Sequence, residues 1–338
     1  MKQSKKKLTF AEFCAGIGGF RLGIKSANPD MVCVYSNEID SKCEETYRTA
    51  FGESFDSRDI FDIKCETLPS FDVLCAGFPC QPFSVAGGRQ GFGDARGQVI
   101  FKILEIVSKA KPSVVFLENV RNLQGHDKGR TLSTIVSMLM DNGYMVYTNV
   151  LDSADFGLAQ SRPRLYIVAF CQKRFGLTSF CFPKGGKQNK TIRDILIEGD
   201  NSIPISDKWS EYIDYYTRKK ALGELSFAPP KTRLALERVG QNCDLEDCVL
   251  QIRSSGIRAY SLDGKFPTFA VSNSGGGAMI PVLTKERRHI SVQEIKRLMG
   301  FPENFSFPVS RTDSIKQLAN AVCPPVIDAI MQSILAVA

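Results

Sequence analysis

Leu8-Thr9-Phe10-Ala11-Glu12-Phe13-Cys14-Ala15-Gly16-Ile17-Gly18-Gly19 reads as a short strand, Leu8 to Phe13, that ends in a glycine turn, Ala15 to Gly19. Glycines at that point let the backbone turn tightly and approach a ligand. Outward from it, short apolar strands alternate with helical stretches, the pattern of a parallel α/β sheet. Val32 to Tyr35, Phe71 to Ala76 and Ser113 to Leu117 read as further strands. Val99, Ile100, Ile103, Leu104, Ile106 and Val107 recur at the spacing of one helix face. Thr131 to Asn142 does the same and stops at Gly143, a helix-ending residue. Tyr144 to Leu151 and Leu165 to Phe170 are two more strands, close enough to pair.

The texture changes near Pro183. From there to Pro281 periodicity weakens and Gly, Ser, Lys and Arg increase, with Gly275-Gly276-Gly277 near the end. This region reads as a second, smaller, loop-rich domain. Helical pattern returns in Ser291 to Met299 and Asp313 to Val322, and Pro324-Pro325 introduces a final apolar helix, Val326 to Val337. The expected units are a catalytic and cofactor-binding domain (1–181), a recognition domain and hinge (182–309) and a C-terminal segment returning to the first domain (310–338).

With 338 residues, 43% hydrophobic, the chain can bury a large core. Its 43 Lys and Arg against 36 Asp and Glu give a net charge of +7, compatible with a polyanionic partner. Eleven cysteines fall at no repeating spacing, and only Cys243 and Cys248 lie close together, with His126 and His289 the two histidines. A structural zinc takes four ligands, so no metal is expected, and most thiols should be reduced core residues. No apolar run approaches the roughly 18 residues of a membrane span. The basic tail Met1 to Lys7 lacks the apolar stretch of a signal peptide, so the cytoplasm is expected.

Four features carry chemistry. Glu38 follows the second strand, about 20 residues after the glycine turn, where an acid can hold ribose hydroxyls; a tight turn beside a solvated glutamate is the plainer alternative. Arg21 stands where a dinucleotide fingerprint wants its third glycine, which weakens a nicotinamide-cofactor reading. Gly77-Phe78-Pro79-Cys80-Gln81-Pro82-Phe83-Ser84 directly follows a strand. Open α/β sheets bind ligands at the carboxyl ends of their strands, and a cysteine between two prolines there suits a nucleophile better than a buried thiol. Glu118-Asn119-Val120 ends another strand on the same sheet edge, so a carboxyl group accompanies the thiol; alone, Glu118 is more often a charge at a helix start. Gln160-Ser161-Arg162-Pro163-Arg164 brings two cations to one face of an extended segment, fit for phosphate or a base oxygen, or else a solvated edge.

In this order the features resemble the cytosine-C5 DNA methyltransferase family, particularly the compact bacterial modification enzymes. The resemblance spans nearly the whole chain. It rests on Cys14 to Phe20, Asn37-Glu38, Asp59-Ile60, Gly77 to Gln81, Arg96-Gly97, Glu118-Asn119-Val120 and Gln160-x-Arg162-x-Arg164. Later it includes Arg297-Leu298-Met299-Gly300-Phe301-Pro302 and Gln317-Leu318-Ala319-Asn320-Ala321-Val322. Cys14 stands where the family usually has an aromatic residue, and Ala319 where it usually has glycine.

The resemblance implies a doubly wound, mostly parallel α/β sheet of the S-adenosylmethionine-dependent methyltransferase type. It implies a monomer acting on double-stranded DNA, without metal or membrane, as the modification arm of a restriction-modification system. Cys80 would attack C6 of a flipped-out cytosine; Glu118 would hold N3 and the exocyclic amine. Arg164 would bond O2, and Arg162 would support the loop, the phosphate or the thiolate. The glycine-bearing loop Phe83 to Arg96, with Gly87, Gly88, Gly91 and Gly93, would close over the base. S-adenosylmethionine would lie among Phe13, Cys14, Gly16, Gly18 and Gly19, with Glu38 on the ribose and Ile39 and Ile60 against adenine. Asp59 would take the adenine amine, and Gly77, Pro79, Asn320 and Val322 would complete the pocket. DNA would meet Gln81, Ser84, Arg96, Ser255, Arg258 and Thr268, with Lys184, Lys187, Lys285, Arg287 and Arg288 on phosphates. A tRNA cytosine-C5 methyltransferase, a catalytically silent binding protein and a nicotinamide-dependent oxidoreductase are the alternatives; the intact Cys80, Glu118 and Arg164 speak against the second.

Overall fold

The computed structural model describes residues 7–79, 95–186, 189–199, 203–240, 243–253, 255–270 and 280–337, with the side chains of 95–97 left outside. The first half runs β1 (Thr9–Phe13), α1 (Gly19–Ala27), β2 (Val32–Asn37), α2 (Ser41–Phe51), β3 (Val73–Gly77), α3 (Ala95–Ala110), β4 (Val114–Val120), α4 (Arg130–Asp141), β5 (Tyr144–Asp152), β6 (Pro163–Cys171) and the short α5 (Gln172–Phe175). The strands form one sheet in the order β2-β1-β3-β4-β6-β5. The first four are parallel; β6 runs antiparallel to both β4 and β5.

Side chains alternate between two apolar layers, because parallel strands with crossover helices are buried on both faces. Ala11, Phe13, Leu74, Ala76, Val115 and Leu117 pack with Ile100, Ile103, Leu104 and Val107 of α3 and with Ile135 and Leu139 of α4. Phe10, Cys75, Phe116 and Val168 point the other way, toward Ile24 of α1 and Ile327, Ile330 and Met331 of the C-terminal helix. The sheet is thus doubly wound, as expected. β1 ends at Phe13 as expected, and the other five strands run a residue or more past their expected carboxyl ends: β4 continues to Val120 and carries Glu118 inside the ladder, opposite Gly77.

The middle region is rich in loops but also holds a sheet that its sequence did not reveal. It holds α6 (Asp207–Tyr216), α7 (Lys231–Leu234), β7 (Leu236–Val239), β8 (Cys248–Arg253), β9 (Gly256–Ser261), β10 (Val282–Leu283) and β11 (Arg288–His289). These strands form a second sheet, β11-β10-β8-β9-β7. Trp209, Tyr212, Ile213 and Tyr216 of α6 share a core with Leu250, Ile252, Ile257 and Ala259. Three of these strands have only two to four residues, and β8 and β9 are buried in runs rather than at alternate positions, so no period-two pattern shows in the sequence.

The chain closes with α8 (Val292–Met299), α9 (Arg311–Asn320) and α10 (Pro324–Leu335). Ser291 caps α8 reciprocally with Glu294. Pro324 and Pro325 form the first turn of α10 rather than preceding it, since N–H groups there need no helical partner. Contrary to the reading of apolar runs, residues 311–335 have the length and composition of a membrane span. They are two helices separated at 321–323, and half of the apolar window is buried in the protein. The α10 helix meets α1 at Gly23, where a Cβ would stand 2.5 Å from Cβ of Ile327 and 2.7 Å from the Pro324 carbonyl oxygen.

One polar group interrupts the apolar layers. Glu12 of β1 is wholly buried. Its Oε1 accepts hydrogen bonds from the Tyr47 hydroxyl at 2.5 Å and the Ser36 hydroxyl at 3.1 Å, while Oε2 has no partner among the described residues. Burial raises its pKa from 4.5 to about 7 against the opposing pull of Tyr47, Arg21 and Ser36. The folded state therefore holds a proton that the unfolded chain releases above pH 4.5. This contribution to stability is complete below pH 4.5 and lost as pH rises toward about 7. Glu12→Gln should accordingly gain on the wild type between pH 5 and 7.5, by up to about 3 kcal/mol in urea denaturation. A constant offset across that range would contradict the assignment.

Candidate active site

The carboxyl ends of β1, β2, β3 and β4 meet at one edge of the sheet, where ligands of open α/β folds bind. A cavity of about 450 Å³ opens there. The β1–α1 turn supplies Cys14, Ala15, Gly16, Gly19 and Phe20, and the segment after β2 supplies Glu38, Ile39 and Asp40. Asp59, Ile60 and Phe61 form a second side, Gly77, Phe78 and Pro79 a third. Glu118, Arg162 and Arg164 stand at the back, and Lys316, Gln317 and Ala319 to Val322 close the cavity from the C-terminal segment.

The turn requires its glycines. Cys14, Gly16 and Gly18 all have positive φ (52°, 55° and 80°), and a Cβ on Gly19 would fall 2.8 Å from Cγ2 of Val322. That contact lays the C-terminal segment against the turn. Two residues of the expected cofactor set lie off the cavity wall. Phe13 is wholly buried beside Tyr35, and Gly18 faces Tyr47 and Phe51.

Glu38 is held from both sides: the Gly16 amide donates to Oε2 at 2.8 Å and the Asp40 amide to Oε1 at 2.9 Å. Burial raises its pKa, with those two amides opposing. Each oxygen keeps a lone pair for a hydroxyl donor. Asp59 accepts from the Phe61 amide and caps a short 3-10 turn, Ile60–Asp62. Ile60 is buried, whereas Ile39 and Phe61, at 63% and 47% exposure, are among the few large apolar side chains left open to solvent. Two apolar groups at the rim of a carboxylate-bearing cavity fit a ligand with an aromatic ring joined to a sugar.

At the back, Arg164 Nε lies 3.1 Å from Glu118 Oε1, both side chains largely buried. Burial raises the Glu118 pKa, with Arg164 and then Arg162 opposing. The antiparallel pairing of β4 with β6, Val120 opposite Arg164, sets this contact. Asn119, quoted in the motif but given no role by sequence reasoning, donates from Nδ2 to the Phe78 carbonyl at 3.1 Å. It thereby ties the end of β4 to the residue before Pro79.

Arg162 is placed differently from its neighbour. It is buried, with Nη1 donating to the Phe269 carbonyl at 2.8 Å and Nη2 to the carbonyls of Ala319 and Ala321, each at 2.9 Å. Burial, then the charge of Arg164, lowers its pKa to about 10. Cys80, Gln81 and Ser84, the loop up to Arg96 and the side chain of Arg96 lie outside the described residues, as does Lys187.

In the second sheet, Ser255 is exposed at the β8–β9 turn, and Arg258 pairs with Glu237 at 2.6 Å. Thr268 donates its hydroxyl proton to the Ser161 carbonyl. Arg288 corrects an expectation: it is 1% exposed and ion-paired to Glu294 at 2.6 Å, so no phosphate reaches it. Its basic neighbours gave the sequence no means of distinguishing it. Lys184 and Lys285 are exposed, and Arg287 pairs with Asp214.

The chain matches the model of the C-5 cytosine-specific DNA methylases over residues 8–336. The Type II methyltransferase M.NlaX of Neisseria lactamica is 38% identical over 320 residues, covering 94% of this chain and 93% of the relative. M.HhaI of Haemophilus parahaemolyticus is 34% identical over 320 residues, covering 93% and 90%. Among solved structures, the Entamoeba histolytica methyltransferase EhMeth superposes with a TM-score of 0.69 at 19% identity, covering 98% of this chain and 99% of the other. The S. pombe Dnmt2 methyltransferase gives 0.69 at 17% identity with the same coverage. At such identities the two structures share the fold.

The buried pair at the back yields a prediction independent of any reaction. Arg164→Met leaves Glu118 without its cation and should destabilise the protein by about 3 kcal/mol in chemical denaturation. Adding Glu118→Gln should restore much of that loss; strictly additive losses would mean that the two groups do not interact.

Proposed function

The chain belongs to the C-5 cytosine-specific DNA methylase family, and on that premise we propose that it methylates a flipped-out cytosine in a specific duplex sequence through a covalent Cys80–C6 bond. It is a DNA (cytosine-5)-methyltransferase, and its methyl donor is S-adenosylmethionine. The observation that carries the finer reading is the buried Glu118–Arg164 pair at 3.1 Å, on the wall of the cavity that Pro79, the neighbour of Cys80, also lines.

The cavity fits the cofactor. Glu38 offers acceptors for the ribose hydroxyls, and Ile39, Ile60 and Phe61 form an apolar surround for adenine beside Asp59. Gly16 and Gly19 leave room at the turn, while Asn320 and Val322 close the opposite side. Bound there, the cofactor supplies an electrophilic methyl group.

Cytosine C5 is a weak nucleophile until the ring loses its aromaticity. The Cys80 thiolate forms a bond to C6 as the C5–C6 electrons shift through the ring to N3. The Glu118 carboxyl group gives N3 a proton as that charge builds. Arg164 stabilises charge on O2. C5 then accepts methyl; loss of the C5 proton to a base expels Cys80, and N3 returns its proton to Glu118. Because C5 and C6 are inaccessible in a duplex, the base must leave the stack, at a cost of a few kcal/mol.

In this reading residues 1–181 bind cofactor and carry the reacting groups, 182–309 recognise DNA, and 310–338 complete the cofactor site. Ser255 and the exposed Lys184 and Lys285 belong to the DNA-facing set, and Gln81, Ser84, Arg96 and Arg258 join them. The protein works as a monomer in the cytoplasm, as the modification partner of a restriction endonuclease.

Cys80→Ala should abolish methyl transfer to unmethylated duplex DNA while DNA binding persists, and duplex containing 5-fluorocytosine at the methylated position should become covalently attached to the wild type. Full activity in the variant would end the thiol mechanism. Methylation of tRNA but not of duplex DNA would move the substrate to RNA.

A further inference from the structure

Before β6, residues 159–162 run beside 266–269 of the recognition domain. The Phe266 amide donates to the Ala159 carbonyl and the Ser161 amide to the Phe266 carbonyl, both at 2.8 Å. Two buried side chains then take hold of one residue, Phe269. Gln160 Oε1 accepts from its amide at 2.7 Å, and Arg162 Nη1 donates to its carbonyl at 2.8 Å. Each side chain has a second grip elsewhere. Gln160 Nε2 donates to the Leu298 carbonyl at 3.2 Å, at the end of α8. Arg162 Nη2 reaches the carbonyls of Ala319 and Ala321, which line the cofactor cavity.

We propose that Gln160 and Arg162 are a pair of positioning residues that fasten the backbone of Phe269 in the recognition domain to the Ala319–Ala321 wall of the cofactor pocket. This rests on the reading above, in which Glu118 and Arg164 meet the base. Gln160 is 0% and Arg162 4% exposed, and both Nη atoms of Arg162 are occupied by backbone carbonyls. A guanidinium so committed does not turn to a phosphate or to the base. Carbonyl oxygens accept but cannot donate, so only a buried group with several divergent donors ties three of them together. Arginine's planar fork does so without a large ordering cost. Arg162 therefore acts on the reaction through cofactor placement, and Gln160 through the angle at which the recognition sheet meets the pocket.

Calorimetric titration of S-adenosylhomocysteine without DNA, beside steady-state kinetics on unmethylated genomic DNA, tests the proposal. Arg162→Lys should weaken the ligand about tenfold and raise the KM for S-adenosylmethionine in proportion, with kcat at saturation falling by less than about threefold. Arg162→Met should weaken it further, so that the lysine counts as partial rescue. Gln160→Ala alone should cost about threefold, and the double variant less than the product of the single effects, because both act on one residue. If Arg162→Lys does not fold, Gln160→Ala still decides by the same titration. A hundredfold fall in kcat with ligand affinity unchanged would overturn the proposal and return Arg162 to the reacting groups; independent, multiplicative losses would also overturn it. Should the wild type fail to methylate DNA, the proposed function falls while the ligand titrations still judge the clamp.

Discussion

The cavity exists because α1 carries no Cβ at two points. At Gly19 the backbone of Val322 comes within contact, and at Gly23 the start of α10 lies directly against the helix. A methyl group at either place would overlap backbone atoms that cannot swing aside. The close approach brings the end of the chain onto its beginning, and the segment 319–322 thereby becomes a wall of the site. The carbonyls that receive Arg162 belong to that wall.

Around this contact the site divides into two regions of different electrostatic character. The front holds a carboxylate, Glu38, fixed by two amides and flanked by exposed apolar side chains. The back holds a carboxyl group whose burial favours its neutral form, Glu118, opposed by Arg164 at 3.1 Å. Burial raises the pKa of both acids, yet their partners differ. Main-chain amides can only donate, so Glu38 is kept as an acceptor; a guanidinium beside a buried carboxyl accompanies either a charged pair or, with the proton retained, a group that can donate.

Two arginines two residues apart show how far residue type leaves role open. Arg164 lies in β6, where the ladder with β4 aims it at Glu118. Arg162 stands just before the strand, off the ladder, and finds backbone carbonyls from two distant segments. Arg288 shows the same indeterminacy in a basic stretch: it reads as a surface cation and proves to be a buried partner of Glu294. Charge is visible in a sequence; burial depends on which remote groups arrive to satisfy it.

Much was decided locally. The alternation of apolar strands and amphipathic helices, the glycine turn, and the placing of Glu118 and Glu38 within or just after strand ends follow from short-range pattern, since strand and helix periods span only a few residues. Tertiary structure alone decided that 236–289 contains a five-stranded sheet, because three of its strands have two to four residues and the other two are buried without alternation. It also decided that Gln160 and Arg162 join the backbone of Phe269 to that of Leu298, Ala319 and Ala321, and that Phe13 lies in the core rather than on the cavity wall. The contacts of Gln160 and Arg162 join residues more than a hundred positions apart, and nothing in the local chemistry of either partner specifies the other.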